Sequence, residues 1–122
     1  MGAFVLLSSD YRIGVEGAFK LGLNEVAIGM TMPYFGVELA QWRLSKRYII
    51  RALGNAEIFS PLSAVEAGFL DKVVDPAEIE ATSIDIASQL KQLDMRAYAA
   101  TKMRSRKNFL TEFDAAIAKE FS

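Results

Sequence analysis

The 122-residue sequence contains neither cysteine nor histidine. Without cysteine there are no disulfides, no thiolate zinc sites and no cysteine nucleophile. Without histidine there is no Ser-His-Asp catalysis and no imidazole base, and most transition-metal sites lose their commonest ligand, so no metal centre is expected. Any general acid or base is therefore a carboxylate, a lysine or a tyrosine. Long apolar runs are missing too. The longest near the start is Ala3 to Leu7, far short of the about 20 residues of a membrane helix, and no membrane partner is expected. No basic stretch precedes an apolar core near Met1, as it would in a secretory signal, and the cytoplasm is the expected address. Charge of one sign is lacking as well. Fourteen Lys and Arg face 15 Asp and Glu, for a net charge of −1, which provides no global steering toward nucleic acid. No glycine-rich run has the spacing to Lys and Ser/Thr of a phosphate loop.

What the chain does have is apolar surface. Its length suits a single domain over residues 1–122, which can bury roughly two-thirds of its unfolded surface. An apolar fraction of 52% is a little more than soluble domains of this kind carry, and an oligomer interface is the expected use for the excess. There is no internal repeat and no low-complexity linker.

Local patterns predict a mostly helical chain with a few short strands near the start. Ala3 to Ser8 fits helix or strand. Asp10 to Val15 alternates at Tyr11, Ile13 and Val15 as a strand does. Gly17, Gly22 and Gly29 then punctuate a stretch of tight, irregular backbone. Thr31 is the expected cap of a helix with Pro33 in its first turn, running to about Leu44. Ser45 is expected to cap a second helix from Lys46 to Leu53, closed by Gly54. Ser60-Pro61 opens a third helix that Gly68 ends, and Leu70 to Val74 reads as a strand. Asp75-Pro76-Ala77-Glu78 has the form of a capping box ahead of a helix with Ile79, Ile86, Leu90 and Leu93 on one face. Asp94 begins a last long helix that carries Met95, Ala99, Met103, Leu110, Phe113 and Ile117.

The stretch with the clearest chemical potential is Leu21-Gly22-Leu23-Asn24-Glu25-Val26-Ala27-Ile28-Gly29, followed by Met30 to Gly36. Glu25 is its only ionisable residue between Lys20 and Tyr34. A carboxylate among apolar groups is discouraged from ionising, which suits a general acid or base at neutral pH. The flanking glycines let backbone approach a ligand. A plainer reading stands beside this one: a glutamate after Asn24 can sit in the first turn of a helix and favour its dipole.

Taken together, Asp10-Tyr11-Arg12-Ile13, then Gly22-Leu23-Asn24-Glu25, then Gly29 and Pro33 resemble the crotonase family of enoyl-CoA hydratases and isomerases. Ser60 to Val74 (Ser-Pro-Leu-Ser-Ala-Val-Glu-Ala-Gly-Phe-Leu-Asp-Lys-Val-Val) resembles the next segment of that family, and Thr101-Lys102 fits its last helix. The resemblance is colinear over nearly the whole chain, and it is to the second, C-terminal half of the family's fold. It implies an α/β crotonase-like (ClpP/crotonase superfold) fragment of stacked turns and helices, assembled as a trimer, paired trimers or a dimer. Acyl-CoA is then the implied substrate, with no separate cofactor. Hydratases of this family use two glutamates. One position matches Glu25 and the other matches Phe4, so a single acid remains, which is the arrangement of the Δ3,Δ2-enoyl-CoA isomerases. One carboxylate suffices to take a proton from C2 and return it to C4. The resemblance further implies that Met1 and Gly2 lie at the substrate, where the family places one of two backbone N–H groups that hold the thioester oxygen. At Met1 that group is expected to be a terminal amine, and the other belongs to the half of the fold that the chain does not match. Losing one such donor costs roughly 3–4 kcal/mol of transition-state stabilisation. Two further readings are therefore kept: a non-catalytic acyl-CoA-binding or oligomerisation module, and a half-enzyme completed by a partner chain.

Several lesser features have two readings each. Tyr34 and Phe35, close to Glu25, are candidates for the acyl pocket and equally for packing. Met30 and Met32 are weaker candidates for the same pocket, and Trp42 is expected to pack. Arg96, Lys102, Arg104, Arg106 and Lys107 form a basic stretch that either meets phosphates or, as charge runs more often do, faces solvent. Asp10 is expected to serve a turn or a strand end rather than catalysis.

Overall fold

The computed structural model describes residues 2–122. Helix dominates it. In chain order come α1 (Gly2–Leu7), β1 (Ile13–Val15), β2 (Leu21–Gly22), α2 (Tyr34–Arg43), α3 (Ile49–Leu53), β3 (Ile58–Phe59), α4 (Pro61–Ala67), β4 (Lys72–Val74), α5 (Ile79–Lys91) and α6 (Met95–Glu120). Single 3-10 turns sit at Val26–Ile28, Lys46–Tyr48 and Pro76–Glu78.

The four strands form two small ladders. β1 lies parallel to β4, with Ile13 opposite Lys72 and Val15 opposite Val74. β2 lies antiparallel to β3, with Leu21 opposite Phe59. β1 falls within the alternating stretch Asp10 to Val15, and β4 within the β-branched stretch Leu70 to Val74. The β3 segment has no such pattern, because two residues are too few to show one. The polar network at the start of the β1–β4 ladder is built on Arg12, which is only 6% exposed. Its Nε donates to Asp71 Oδ2 at 3.1 Å, Nη2 to Asp71 Oδ1 at 3.1 Å and its backbone N–H to Asp71 Oδ2 at 2.9 Å. Nη1 donates to the carbonyl of Gly68.

Three expected caps are present. Ser60 Oγ accepts from the N–H of Ser63, with Pro61 in the first turn. Asp75 accepts from the N–H of Ala77, and Asp94 from that of Ala97. Each satisfies a donor that the first helical turn leaves free. Gly68 closes α4 in a left-handed conformation, φ 105°. A Cβ there would lie 3.0 Å from the carbonyl oxygen of Arg43 and 3.1 Å from Leu44 Cα.

Two expected caps are not formed. Thr31 does not begin α2. The helix starts at Tyr34, with the extended Pro33 before it and no cap from its own segment. Its first free N–H, on Tyr34, donates instead to Oε2 of Glu120, at 2.8 Å, 86 residues further on. Ser45 does not cap either. It precedes the turn at Lys46–Tyr48 and points its hydroxyl to the carbonyl of Glu66, at 3.0 Å.

The core gathers Leu7, Leu23, Leu39, Phe59, Phe69 and Leu70, among others, from α1, α2, α4 and the segments around the ladders. α6 packs antiparallel along α2. Trp42 stacks on Phe109 (centroids 5.1 Å apart), and Phe109 meets Phe113. α5 is looser: Ile79, Ile86 and Leu90 are half-buried against the β1 region, but none is fully buried, and Leu93 is exposed.

Candidate active site around Glu25

Glu25 follows the buried Leu23 and stands immediately before the 3-10 turn Val26–Ile28. Its backbone carbonyl accepts from the N–H groups of Ile28 (3.1 Å) and Met30 (2.8 Å). Gly29 closes the turn at φ 81°, a left-handed conformation that a side chain would strain. The backbone at Glu25 is thus fixed by its own turn.

The side chain is used for none of this. It makes no cap hydrogen bond. A three-residue 3-10 turn also has little dipole for a carboxylate to favour, since that effect belongs to the aligned peptides of a longer helix. Glu25 does stand at the start of a turn, as the plainer reading has it, but that turn is only three residues long and donates no cap hydrogen bond to the side chain. Instead, Oε2 is buried and has no hydrogen-bond partner among the described residues. A buried acceptor without a partner costs about 1–3 kcal/mol, and native proteins rarely carry one without a use for it.

The stretch that follows Glu25 is largely apolar and exposed. Val26, Ile28, Met30 and Tyr34 are all exposed, Ile28 to 62%. Met32 instead turns into the core. So of the two methionines considered for an acyl pocket, only Met30 faces outward.

Tyr34 and Phe35 open α2. Phe35 packs edge-on to Phe4 of α1 and stacks on Phe121, with both centroid distances 6.1 Å. Packing therefore accounts for Phe35. Tyr34 keeps its ring exposed, with the Lys119 ammonium 4.1 Å from the ring centroid. Lys119, Glu120 and Phe121, at the end of α6, together grip the start of α2. None of these contacts was legible in the sequence, where the partners lie more than 80 residues apart and share no motif.

Gly2 begins α1 and is exposed, with open space where a Cβ would stand. Met1, the other residue expected at the substrate, lies outside the described residues. Phe4, at the position matched to a second acid, places an apolar ring against α2.

Asp10 accepts from Tyr98 Oη (3.1 Å), Lys102 Nζ (2.6 Å) and Arg106 Nη2 (2.6 Å). The hydrogen bond from Lys102 is the main reason its carboxyl lies below its ordinary value, although partial burial opposes it. Its role is to anchor α6, which is neither the turn nor the strand-end bond expected of it. Of the basic stretch, Lys102 and Arg106 are turned inward to Asp10, while Arg96, Arg104 and Lys107 are exposed. Trp42 packs, as expected. No group of His, Cys, Asp and Glu suited to a metal occurs among the described residues, and none of the described helices is long and apolar enough to cross a membrane.

The fold is that of the crotonase-type enoyl-CoA hydratases and isomerases, over about half of their length. The chain superposes with a TM-score of 0.95 on an enoyl-CoA hydratase/isomerase family protein from Pseudomonas syringae. The two are 52% identical, and the match covers 97% of this chain and 51% of that one. It superposes on human mitochondrial delta3-delta2-enoyl-CoA isomerase with a TM-score of 0.85 at 28% identity, over 97% of this chain and 48% of that one. Among curated sequences, enoyl-CoA delta isomerase 1 of Homo sapiens is 28% identical over 121 residues, 95% of this chain and 40% of the human protein. Its homologues are thus enoyl-CoA delta isomerases and enoyl-CoA hydratases of the crotonase family. The chain spans about half the length of these relatives or less. No family model matches the sequence.

Proposed function

We propose that this chain carries the acid/base part of an enoyl-CoA isomerase/hydratase site, with Glu25 as the proton shuttle. One observation carries the proposal: a glutamate held by a fixed turn, making no cap hydrogen bond, with a carboxylate oxygen that is buried and has no partner among the described residues, in a stretch whose Val26, Ile28 and Met30 form exposed apolar surface. An apolar face accepts the acyl chain of a thioester. The carboxylate takes a proton from C2 of a 3-enoyl thioester, and the electrons move to the thioester oxygen as an enolate. The same group then returns the proton to C4, giving the 2-enoyl product. An apolar ring at Phe4 provides no second acid, so a water is not activated from that side, and isomerisation is favoured over hydration. Acyl-CoA is the substrate and no further cofactor enters the reaction. Similarity to isomerases and hydratases supports the substrate class.

The openness of the face supports a second reading, in which the chain binds acyl-CoA without turnover, or turns it over only when a further polypeptide covers the apolar face. Calorimetry against an acyl-CoA separates the two: binding without turnover favours the second. For the first, Glu25→Gln is expected to abolish conversion of 3-enoyl-CoA to 2-enoyl-CoA, a loss of at least about 100-fold, as removal of a general acid–base group costs. A Gln variant as active as the parent chain would refute the assignment.

A further inference from the structure

The strongest feature outside the Glu25 region is a cleft of about 230 Å³ where the C-terminal end of α2 meets α6 and the Asp10 turn. Asp10, Arg43, Thr101, Lys102 and Arg106 are among its lining residues. In and beside it, four cations (Arg12, Arg43, Lys102 and Arg106) face only two carboxylates, Asp10 and Asp71. The carboxylates are already committed. Asp71 is saturated by Arg12, and Asp10 takes both Lys102 and Arg106.

Arg43 is left over. No ion pair among the described residues includes it. One Nη donates to the carbonyl of Ser9, at 2.8 Å, and Nε is buried with no partner among the described residues. Burial, followed by the charge of Arg12, pulls the guanidinium below its ordinary value, yet arginine stays charged at any physiological pH. The cleft therefore holds a cation with no ion pair among the described residues, reached only through space by Asp71 and Asp10, in partly desolvated surroundings where a charge-assisted hydrogen bond is strong.

We propose that this cleft binds a phosphate-type anion. The Arg43 guanidinium supplies a charge that no ion pair among the described residues takes up, Lys102 supports it, and the hydroxyl of Thr101, which lines the cleft, is a further donor. The planar donor fork of arginine suits the oxygens of a phosphate. Two sources share this chemistry: free inorganic phosphate and the phosphomonoester of a nucleotide. The site lies at the Arg43 end of α2, about 13 Å of helix rise from Tyr34, and none of its lining residues belongs to the Glu25 stretch. It stands or falls independently of the proposed function.

Thermal unfolding of the full chain tests it, with inorganic phosphate compared against sodium chloride of equal ionic strength and with adenosine monophosphate as a second probe. A ligand that binds only the folded state raises Tm with its concentration. Phosphate at millimolar concentration is expected to raise Tm by a few degrees more than chloride. A larger rise with the nucleotide assigns the site to a phosphomonoester, and an equal or smaller one to the free anion. Arg43→Met keeps the apolar stem and removes the charge, and it is expected to lose the phosphate-specific rise. Ser105→Glu brings a carboxylate to the exposed lip of the same cleft and is expected to lose it too, so the test holds even if the Arg43 variant does not fold. Equal Tm in phosphate and chloride, or a rise retained in either folded variant, overturns the site.

Discussion

Arg12 and Asp71 show what a single pair does for this fold. The guanidinium is almost fully buried, and the carboxylate that holds it is 33% exposed. Removing the acid strands the cation: Asp71→Ala is expected to cost roughly 3 kcal/mol, the low end for a buried pair because Asp71 is partly solvated. Urea unfolding measures this as a lower midpoint at unchanged slope. The same network sets the acid limit of stability. Burial works to raise the Asp71 carboxyl, but the side-chain and backbone hydrogen bonds of Arg12 outweigh it and hold the group below its ordinary 3.8. Asp10 is held below the same value, chiefly by Lys102. With folded-state values depressed, the unfolded chain binds more protons in this range, so stability rises with pH there. The contribution is complete above about pH 4 and is lost as pH falls through the folded-state values. Unfolding midpoints recorded from pH 5 downward are expected to fall steeply below pH 4, and to fall less steeply in Asp10→Asn, which cannot titrate.

At the scale of elements, the sequence punctuation of α4 is literal. Ser60-Pro61 opens it and Gly68 closes it. Gly68 is required twice over, by its left-handed φ and by the backbone of Arg43 to Ser45 lying where a Cβ would stand. Gly68→Ala is expected to lower stability by about 2 kcal/mol through strain alone, and more if the α2–α3 connection has to move. An unchanged denaturation midpoint would show that the contact gives way without cost. α2 is the contrary case. Its own segment offers Thr31 as a cap, and the structure uses Glu120 from α6. A local capping rule finds the nearest oxygen in sequence. A folded chain uses the nearest in space, and the antiparallel packing of α6 along α2 brings Glu120 there.

For the molecule as a whole, the surface is rich in large apolar side chains. Val5, Phe19, Ile28, Ile50, Leu62 and Phe121 are all exposed, and α5 buries no residue completely. Soluble monomers rarely leave this much large apolar side chain in water. Sedimentation of the chain at micromolar concentration is expected to show a species heavier than one chain, with Leu62→Glu and Phe121→Glu shifting it toward the monomer. A monodisperse monomer at that concentration would mean that the apolar face is solvated as it stands.

The α4, α5 and α6 helices, their caps at Ser60, Asp75 and Asp94, the stop at Gly68 and the β1 and β4 strands were determined by the sequence itself, because each depends on residues within one turn or a few positions of its neighbours, whereas Ala3 to Ser8 fitted helix or strand alike. Glu25 was visible for the same reason, as a lone ionisable group in an apolar stretch. Tertiary structure alone decided what each charge does. Arg12 meets Asp71, Asp10 gathers Lys102 and Arg106, Glu120 caps α2, and Arg43 is left without a carboxylate partner among the described residues. It also decided that the Glu25 side chain makes no cap hydrogen bond and keeps one oxygen buried and without a partner among the described residues. Hydrogen bonds and ion pairs act over a few ångströms, and which groups come within that range depends on packing between segments 59 to 96 residues apart.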